Sequence, residues 1–329
     1  MKATITATAR YLPEKVLTNK DLEKIVDTSD EWIVSRTGIS ERRIAPKGKV
    51  TSYMATKVAL QLLEKSKTKP DEIDVIIVGT VTPDMLFPPT AALIQENIKA
   101  KNAWGFDLFA ACSGFMYALE TGARLIESRI YRKVMIIGSD TMSTIINYED
   151  RDTCILFGDG SGGVMLEPSK GDDGILDSIL YMDGSGADLL KMPAGGSLHP
   201  TSKETVEKKM HYLYQEGRKV FKFAVKSMAD VSYEILMRNG LTGSDIALFI
   251  PHQANRRIID AAAERLGMLS DQVFINIDRY ANTTCGTIPI GINEAVENGQ
   301  LKKNDYLLLS AFGAGFTVGS ILIRWGDCK

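Results

Sequence analysis

The stretch FGDGSGGVMLEP, residues 157–168, has a counterpart in FGAGFTVGSILI, residues 312–323. Both begin with Phe-Gly-x-Gly and continue into an apolar run that is typical of a strand. A second pair, DEIDVIIVGT (71–80) and SDIALFIPHQ (244–253), occurs in the same order. Two such pairs predict a duplicated unit. The alternative is a chance resemblance, because short strands and glycine turns carry little sequence information.

Strands and helices alternate along the chain, which indicates an α/β fold. DVIIVGT (74–80) and KVMIIGSD (133–140) are short apolar runs, typical of central strands covered on both faces. An amphipathic helix is predicted after Val50, opened by a Thr/Ser cap. A second long helix is predicted over 217–240, where Asn-Gly stops it.

The length of 329 residues exceeds one typical core and favours two domains or fused repeats. We expect an N-terminal half over 1–170 that carries a nucleophilic cysteine and a C-terminal half over 171–329. The glycine-rich, irregular segment at about 181–217 predicts an insertion that covers part of the molecule.

Composition excludes several classes of function. The formal net charge is -2, which argues against non-specific binding to nucleic acid or a membrane surface. No apolar run approaches the roughly 20 residues that span a bilayer, and the N-terminus lacks the core of a signal peptide. The four cysteines form no CxxC pair, so neither a zinc site nor a disulfide framework is indicated. These features together predict a soluble, cytoplasmic protein.

Cys112 lies in FDLFAACSGF, residues 106–115, where a strand pattern changes to a helix pattern. Unpaired N–H groups and the helix dipole stabilise negative charge at a helix N-terminus. Such a setting lowers the pKa of a thiol and makes it nucleophilic. The alternative is that Cys112 is a small buried hydrophobic residue, as most free cysteines are.

A nucleophilic cysteine needs partners that the fold brings near it. His252 follows the predicted strand ALFIP and precedes a helix, whereas His199 and His211 are expected to be surface or packing residues. Asn282 follows a predicted strand, VFINI (273–277), and precedes a helix around 288–297. Because α/β sheets place sites at strand ends, Cys112, His252 and Asn282 form a candidate constellation.

Several motifs resemble those of the β-ketoacyl-acyl-carrier-protein synthase III family. They are AACSGF around Cys112, PHQAN (251–255), ANTT with Asn282, AFGAGFTVGS (311–320), RTGI (36–39) and FPPTAALIQ (87–95). The resemblance implies the thiolase fold, with two pseudo-twofold related βαβαβαββ halves forming a five-layered αβαβα core. It also implies a homodimer.

The reaction that the resemblance implies is a decarboxylating Claisen condensation of an acyl-CoA primer with malonyl-acyl-carrier-protein. Cys112 would take the acyl group, and the amides of Cys112 and Ala314 would form the oxyanion hole. His252 and Asn282 would donate hydrogen bonds to the malonyl thioester carbonyl. The resemblance implies that no metal and no organic cofactor is needed. Acyl-CoA is a substrate of the reaction and not a cofactor.

The resemblance also implies binding residues in three groups. The residues for CoA are Thr28, Trp32, Arg36, Arg151 and Asn255; those for carrier-protein docking are Lys222 and Arg257; those for the acyl pocket are Phe312 and, reaching into the partner's site, Phe87. An aromatic face stacks a base and arginine binds phosphate. Taken singly, Trp32 is equally consistent with a core residue, and the basic residues with solvated helix faces.

The chain departs from the family pattern around Asn282, since Ala281 stands where the family often has glycine and Thr284-Cys285-Gly286 follows. We expect Cys285 and Cys154 to be buried packing residues.

Three other functions are alternatives to this one: a condensing or acyl-transfer enzyme of a secondary-metabolite pathway, a non-catalytic scaffold and a papain-like peptidase. The last lacks its characteristic cysteine motif here. The sequence does not determine the length or branching of the primer.

Overall fold

The computed structural model describes residues 1–328. The strands are β1 (Ala3–Tyr11), β2 (Val16–Thr18), β3 (Glu41–Arg43), β4 (Val75–Gly79), β5 (Trp104–Leu108), β6 (Val134–Thr141), β7 (Asp159–Pro168), β8 (Gly174–Met182), β9 (Leu190–Lys191), β10 (Tyr214–Gln215), β11 (Ile246–Pro251), β12 (Tyr306–Gly313) and β13 (Thr317–Arg324). The helices are α1 (Asn19–Leu22), α2 (Asp30–Thr37), α3 (Thr51–Ser66), α4 (Thr90–Ile98), α5 (Gly114–Glu127), α6 (Arg151–Cys154), α7 (Lys203–Glu207), α8 (Gly217–Arg238), α9 (Arg256–Leu266), α10 (Ile277–Tyr280) and α11 (Thr287–Glu297).

Two sheets organise these elements. The first has the strand order β1-β7-β6-β4-β5, in which β4 is parallel to β5 and β6 while β7 is antiparallel to β6 and β1. The second has the order β11-β12-β13-β8, with β11 parallel to β12 and the other pairs antiparallel. Read from β8, the second sheet repeats the strand order of the first. The duplication predicted from the glycine-rich stretches is therefore present as a duplicated topology.

The first half follows βαβαβαββ through β1, α3, β4, α4, β5, α5, β6 and β7. The second half follows the same path except at its third strand, where the predicted strand VFINI is wrong. Residues 273–277 form a single parallel bridge, Val273 to Phe249, and Ile277 already begins α10. The side chain of Gln253 takes over the pairing, because its amide contacts Phe274 O and the Asn276 N–H.

The elements stack in five layers. Helices α3 and α4 cover the outer face of the first sheet, where Leu62 and Ile94 pack with Ile76. Helices α5 and α11 lie between the two sheets, and their apolar side chains contact both. Helices α8 and α9 cover the outer face of the second sheet. The thiolase-type αβαβα arrangement expected from the sequence is confirmed.

Close packing of α11 on the first sheet depends on glycine. A Cβ on Gly138 of β6 would lie 2.0 Å from the carbonyl oxygen of Cys285, which is closer than any contact atom tolerates. The absence of a side chain at Gly138 therefore lets the turn before α11 approach the end of β6. That turn carries part of the site described below.

Two local predictions can be compared with the helices. The long helix predicted over 217–240 is confirmed as α8, which ends at Arg238 before Asn239 and Gly240. The Thr/Ser cap predicted for α3 is wrong, since Val50 is the N-cap residue and offers no side-chain hydrogen bond. Instead the carboxylate of Asp84, distant in sequence, accepts the Ser52 N–H at 2.8 Å.

The segment 181–217 contains β9, β10 and α7 between irregular stretches. Strands β9 and β10 pair antiparallel, and the Leu213 N–H donates to Ile145 O in the first half. Its apolar side chains Leu190, Met192 and Leu213, together with Lys191 and Gln215, line the cavity described next. The division of the chain at 170/171 remains a prediction; those residues lie between β7 and β8.

Candidate active site

A cavity of about 800 Å³ lies where the carboxyl ends of β11 and β12 meet the N-termini of α5 and α11. Its walls combine residues from both halves of the chain. The sequence-predicted residues that line it are Cys112, His252, Asn282, Ala314, Trp32, Arg36, Asn255, Arg257 and Phe312. Those outside its lining are Thr28, Arg151, Lys222 and Phe87.

Cys112 lies in the 3-10 turn Ala111–Ser113 that leads directly into α5. Ala111 has a φ of 47°, a left-handed conformation that non-glycine residues rarely adopt. The turn is tied to the other half of the chain, because Thr317 Oγ1 donates to Ala110 O at 2.9 Å. The strand-to-helix junction predicted around Cys112 is thus confirmed, with a strained turn at its centre.

Gly313 brings the β12–β13 loop against this turn. A Cβ at Gly313 would lie 2.7 Å from the Cys112 nitrogen and 3.0 Å from the Ser113 nitrogen. Only glycine allows this approach. As a result Ala314, the next residue, lies beside Cys112 in the wall of the cavity.

The pKa of the Cys112 thiol is raised to about 12. Burial is the largest cause and the nearby Asp140 carboxylate is the second, since both disfavour a thiolate. Hydrogen bonds from its own N–H and from the Asn282 side chain oppose the shift without cancelling it. The lowered pKa predicted from the helix N-terminus is therefore wrong, and Cys112 is a thiol at neutral pH.

His252 follows β11 and is 1% exposed. Its backbone N–H donates to Ser310 O at 2.8 Å, and its Nδ1 lies 2.7 Å from Thr287 Oγ1. Within residues 1–328 its Nε2 has no hydrogen-bond partner. Burial lowers the pKa of His252 to about 3, so the ring is neutral at physiological pH.

Asn282 is held on both sides by the first half of the chain. Its N–H donates to Leu156 O at 3.0 Å, and its carbonyl accepts the Gly158 N–H at 3.0 Å. The side-chain Oδ1 accepts the Thr284 N–H at 2.8 Å, which leaves the NH₂ group for Cys112. The preceding Ala281 has φ 55° and ψ -156°, a conformation suited to the glycine that the family often has there.

Asp140, which the sequence interpretation did not single out, supports this arrangement from behind. The side chain is fully buried and accepts hydrogen bonds from the N–H and hydroxyl groups of residues 80–82. Its other oxygen accepts the Thr284 hydroxyl and the Cys285 N–H. The signal in the sequence was a carboxylate at the end of a buried strand, in KVMIIGSD. Asp140 therefore fixes the turn that carries Asn282.

Cys285 and Cys154 are buried, as predicted for packing residues. The Cys285 thiol donates to Ala111 O at 3.0 Å, next to Cys112. Burial raises the pKa of Cys285 well above its ordinary value, and burial raises that of Cys154 to about 11. The pKa of all three thiols is raised, so it does not distinguish them; of the three, only Cys112 lines the cavity.

The residues expected to bind CoA are grouped at one end of the cavity. The Arg151 guanidinium lies 4.8 Å from the centroid of the Trp32 ring, and its Nη1 donates to Asp27 O. Asn255 caps α9 by accepting the Arg257 N–H, and its amide donates to Arg36 O. Asn255 thus joins α9 to α2 at the rim.

Arg257 and Lys222 lie on neighbouring helices beside this rim. The Arg257 guanidinium packs 5.0 Å from the Phe221 ring, and Lys222 is the next residue of α8. Phe312 packs with Phe223 and Phe316 in an aromatic cluster against the cavity. Phe87, in contrast, is 83% exposed and does not enter the cavity of its own chain.

Two features are absent from the described part of the chain, residues 1–328. No group of three or more His, Cys, Asp or Glu side chains there is arranged to hold a metal ion. None of its helices is both long enough and apolar enough to cross a bilayer.

Comparison with known proteins gives consistent matches. The family model described as 3-oxoacyl-[acyl-carrier-protein] synthase III matches residues 106–184, and the model of its C-terminal part matches residues 236–325. The β-ketoacyl-[acyl-carrier-protein] synthase III of Chlorobaculum tepidum is 59% identical over 329 residues, covering 99% of this chain and 100% of the relative.

Solved structures match over nearly the whole chain as well. The 3-oxoacyl-[acyl-carrier-protein] synthase III from Aquifex aeolicus is 44% identical with a TM-score of 0.91, covering 98% of this chain and 100% of that one. The priming β-ketosynthase of the R1128 polyketide biosynthetic pathway is 32% identical with a TM-score of 0.92, covering 99% and 96%.

Proposed function

The chain belongs to the 3-oxoacyl-[acyl-carrier-protein] synthase III family, and from that premise we propose that it condenses an acyl-CoA primer with malonyl-acyl-carrier-protein. The products are 3-oxoacyl-acyl-carrier-protein, CoA and carbon dioxide, in the initiation of fatty acid synthesis. One observation carries the proposal. Cys112, His252 and Asn282, which come from three separate segments of the chain, line a single cavity.

In the first half-reaction the Cys112 sulfur attacks the thioester carbonyl of the primer. A C–S bond forms, the bond to the CoA sulfur breaks, and the thiol proton leaves with CoA. The oxyanion of the tetrahedral intermediate needs two preorganised N–H donors. Those of Cys112 and Ala314 are our candidates, since Gly313 brings the Ala314 loop against Cys112.

In the second half-reaction His252 and Asn282 hold the malonyl thioester carbonyl. Carbon dioxide leaves with cleavage of its C–C bond, and the electron pair becomes an enolate whose oxygen accepts both hydrogen bonds. The enolate carbon then attacks the acyl group on Cys112 and releases the sulfur, which regains a proton. Neutral donors in a buried site suit this role, because they stabilise charge only as it develops.

A condensation assay with malonyl-acyl-carrier-protein and a panel of acyl-CoA primers tests the function. Intact-protein mass spectrometry should show acylation by acyl-CoA alone in the wild type and none in Cys112→Ala. His252→Ala and Asn282→Ala should still be acylated but lose condensation by about a hundred- to a thousand-fold. Acylation retained in Cys112→Ala would exclude Cys112 as the nucleophile.

For CoA we propose that Trp32 and Arg151 bind the adenine, with Thr28, Arg36 and Asn255 along the phosphate and pantetheine path. The Trp32–Arg151 pair supports this, since an aromatic ring and a guanidinium plane each stack on a base; the two groups, 4.8 Å apart, must separate to admit a base between them. Arg36 and Asn255 line the same cavity as Trp32 and Cys112. The hydroxyl of Thr28 is buried without a hydrogen-bond partner among the described residues.

We further propose a homodimer formed through β5. This strand is at the edge of the first sheet, so its outer N–H and C=O groups can pair with another copy. Leu86 and Phe87 beside it are 80% and 83% exposed, and Phe87 would enter the acyl pocket of the other copy together with its Phe312. Light scattering should give a dimer that Phe87→Glu weakens and Leu269→Glu, an exposed leucine elsewhere, does not. A monomeric wild type would overturn this assembly.

The second candidate is a priming synthase of a secondary pathway, which the likeness to the R1128 enzyme favours. The primer panel measures which acyl-CoA the enzyme prefers, and the two candidate functions differ in that preference. We place the enzyme in the cytoplasm, which its unpaired Cys112, Cys154 and Cys285 thiols support. We also propose that its halves divide at 170/171, where one sheet ends and the other begins.

A further inference from the structure

The turn after Asn282 and the first residue of α11 contact Asn282 and His252, the two other candidate catalytic residues. Thr284 donates its N–H to Asn282 Oδ1 at 2.8 Å. Thr287 places its hydroxyl 2.7 Å from His252 Nδ1. Thr284 itself has a φ of 50°, which is strained for a β-branched residue, and Asp140 holds it there by accepting its hydroxyl.

The protons at Thr287 determine which nitrogen of His252 carries a hydrogen. The Thr287 hydroxyl has one proton and two acceptors within reach: His252 Nδ1 at 2.7 Å and Thr284 O at 3.2 Å. Thr284 O already accepts the backbone N–H of Thr287, because that bond closes the 3-10 turn. The contact to His252 Nδ1 is the shorter of the two and Thr284 O already has one donor, which favours donation of the hydroxyl proton to Nδ1.

A hydroxyl that donates to Nδ1 leaves the proton of a neutral imidazole on Nε2. Nε2 is the atom that is buried without a partner at the cavity. The opposite orientation would put the proton on Nδ1 and leave Nε2 as an acceptor. His252 would then repel the oxygen of an enolate instead of stabilising it.

We propose that Thr287 is a positioning residue whose hydroxyl holds His252 in the Nε2–H tautomer, so that one turn presets both His252 and Asn282 as hydrogen-bond donors. The inference rests on the proposed function, in which the two side chains hold the malonyl thioester. Thr284 orients the amide of Asn282, and Thr287 selects the tautomer of His252. Thr287 is not part of the cavity lining, so it acts through His252.

The kinetic test uses Thr287→Val, which keeps the shape of the side chain but removes the hydroxyl, and Thr287→Ser, which keeps the hydroxyl. Condensation should fall by about tenfold in Thr287→Val, the effect of one hydrogen bond, with a much smaller change in acylation of Cys112. Thr287→Ser should recover most of the loss. Thr121→Val, which removes a helix hydroxyl that donates only to Tyr117 O, is the matched control.

The spectroscopic test is ¹⁵N NMR of selectively labelled histidine, since the chain has only three histidines and therefore six ring nitrogens to assign. His252 in the wild type should be protonated at Nε2 and bare at Nδ1, and Thr287→Val should shift it toward a mixture of tautomers. A wild-type ring protonated at Nδ1 would overturn the proposal, and it would do so even if Thr287→Val failed to fold.

Different results would refute the proposed function and the proposed role of Thr287. A wild type that binds acyl-CoA but never condenses it would remove the proposed function, whereas the NMR result would stand. A wild type that condenses normally, with full condensation in Thr287→Val, would leave the function intact and remove the role of Thr287. Loss in Thr287→Val without recovery in Thr287→Ser would also refute it, since packing and not the hydroxyl would then be the cause.

Discussion

At the scale of single residues, burial moves the pKa values of Cys112 and His252, two titratable groups of the cavity, in opposite directions. The pKa of Cys112 is raised to about 12 and that of His252 is lowered to about 3. Between those values both side chains are neutral, so no thiolate–imidazolium pair is present before substrate binds. Negative charge appears only on reacting atoms, where the donors of the cavity can stabilise it.

The lowered pKa of His252 makes stability depend on pH. The unfolded chain takes up a proton below about pH 6.5 whereas the folded chain does not. Stability should therefore be lost as the pH falls through 6.5, by about 2 kcal/mol between pH 8 and pH 5 from this residue. Denaturant unfolding of the wild type and His252→Asn at both pH values measures it. Identical pH dependence in the two proteins would contradict the burial of a neutral His252.

A substitution at Gly313 tests whether acylation of Cys112 depends on the position of the backbone around it. In Gly313→Ala the new methyl would meet the nitrogens of Cys112 and Ser113, which must move. Acylation of Cys112 should fall by about a hundredfold or more, because a displaced donor no longer meets the oxyanion. Gly184→Ala adds a methyl that has no atom within 4 Å and should keep normal acylation, measured by the same mass assay. Equal acylation in both variants would remove Gly313 from the site's geometry.

The sequence singles out Cys112, His252 and Asn282 as candidates, because each lies in a recognisable local pattern, although only Cys112 and His252 follow a strand in the structure. It could not reveal Thr287 or Asp140. Their roles depend on contacts with residues 35 and 144 positions away in the chain, His252 and Thr284. The prediction of a lowered pKa for Cys112 was wrong for a related reason. The helix N-terminus can be recognised in the sequence, but the burial of the thiol and the nearby Asp140 carboxylate cannot.

At the scale of elements, β6 and the turn before α11 are joined by the Asp140 carboxylate. In Asp140→Asn, one oxygen becomes an NH₂ group that faces N–H and O–H donors. We expect a loss of about 2–4 kcal/mol in the free energy of unfolding, since charged hydrogen bonds are broken in a buried site.

Denaturant unfolding measures the Asp140→Asn effect. Asp183→Asn is the control, because its carboxylate accepts a hydrogen bond from the Ser185 N–H in a partly exposed turn. The control should lose less than about 1 kcal/mol. A similarly small loss in Asp140→Asn would show that its hydrogen bonds do not stabilise the fold.

The element that sequence reasoning placed wrongly was the strand VFINI. Its apolar pattern fits a strand, and Phe274 N does donate to Phe249 O. Pairing stops there because the amide of Gln253, two residues after β11, occupies the next positions. A side chain that replaces backbone pairing cannot be recognised from periodicity.

At the scale of the whole molecule, the net charge of -2 provides no general attraction for an acidic carrier protein. Local charge must supply it. Lys222 and Arg257 are exposed beside the cavity rim, and Arg257 is held in place against Phe221. Such a patch mainly speeds encounter.

Reversing both residues, Lys222→Glu and Arg257→Glu, should lower kcat/KM for malonyl-acyl-carrier-protein by about tenfold at low salt. The difference should shrink as salt rises, since exposed charges are screened within about 10 Å at 0.1 M. Primer acylation should change little, whereas Trp32→Ala or Arg151→Ala should impair it. The matched control is the double variant Lys170→Glu with Lys302→Glu. Lys170 follows β7 and Lys302 precedes β12, at the ends of the sheets away from the cavity. Equal losses in both half-reactions, or no salt dependence, would refute a separate docking patch.

The approach of Gly313 to Cys112 and of Gly138 to Cys285 joins one half of the chain to the other. In the proposed mechanism the nucleophile Cys112 comes from the first half, and the donors His252 and Asn282 come from the second. Turnover therefore depends on these contacts between the halves, which we call the seam, and the sequences of the two halves cannot change independently there. A bulkier residue on one side of the seam is tolerable only with a compensating change on the other. We expect covariation across the seam, and its glycines to be the slowest positions to change.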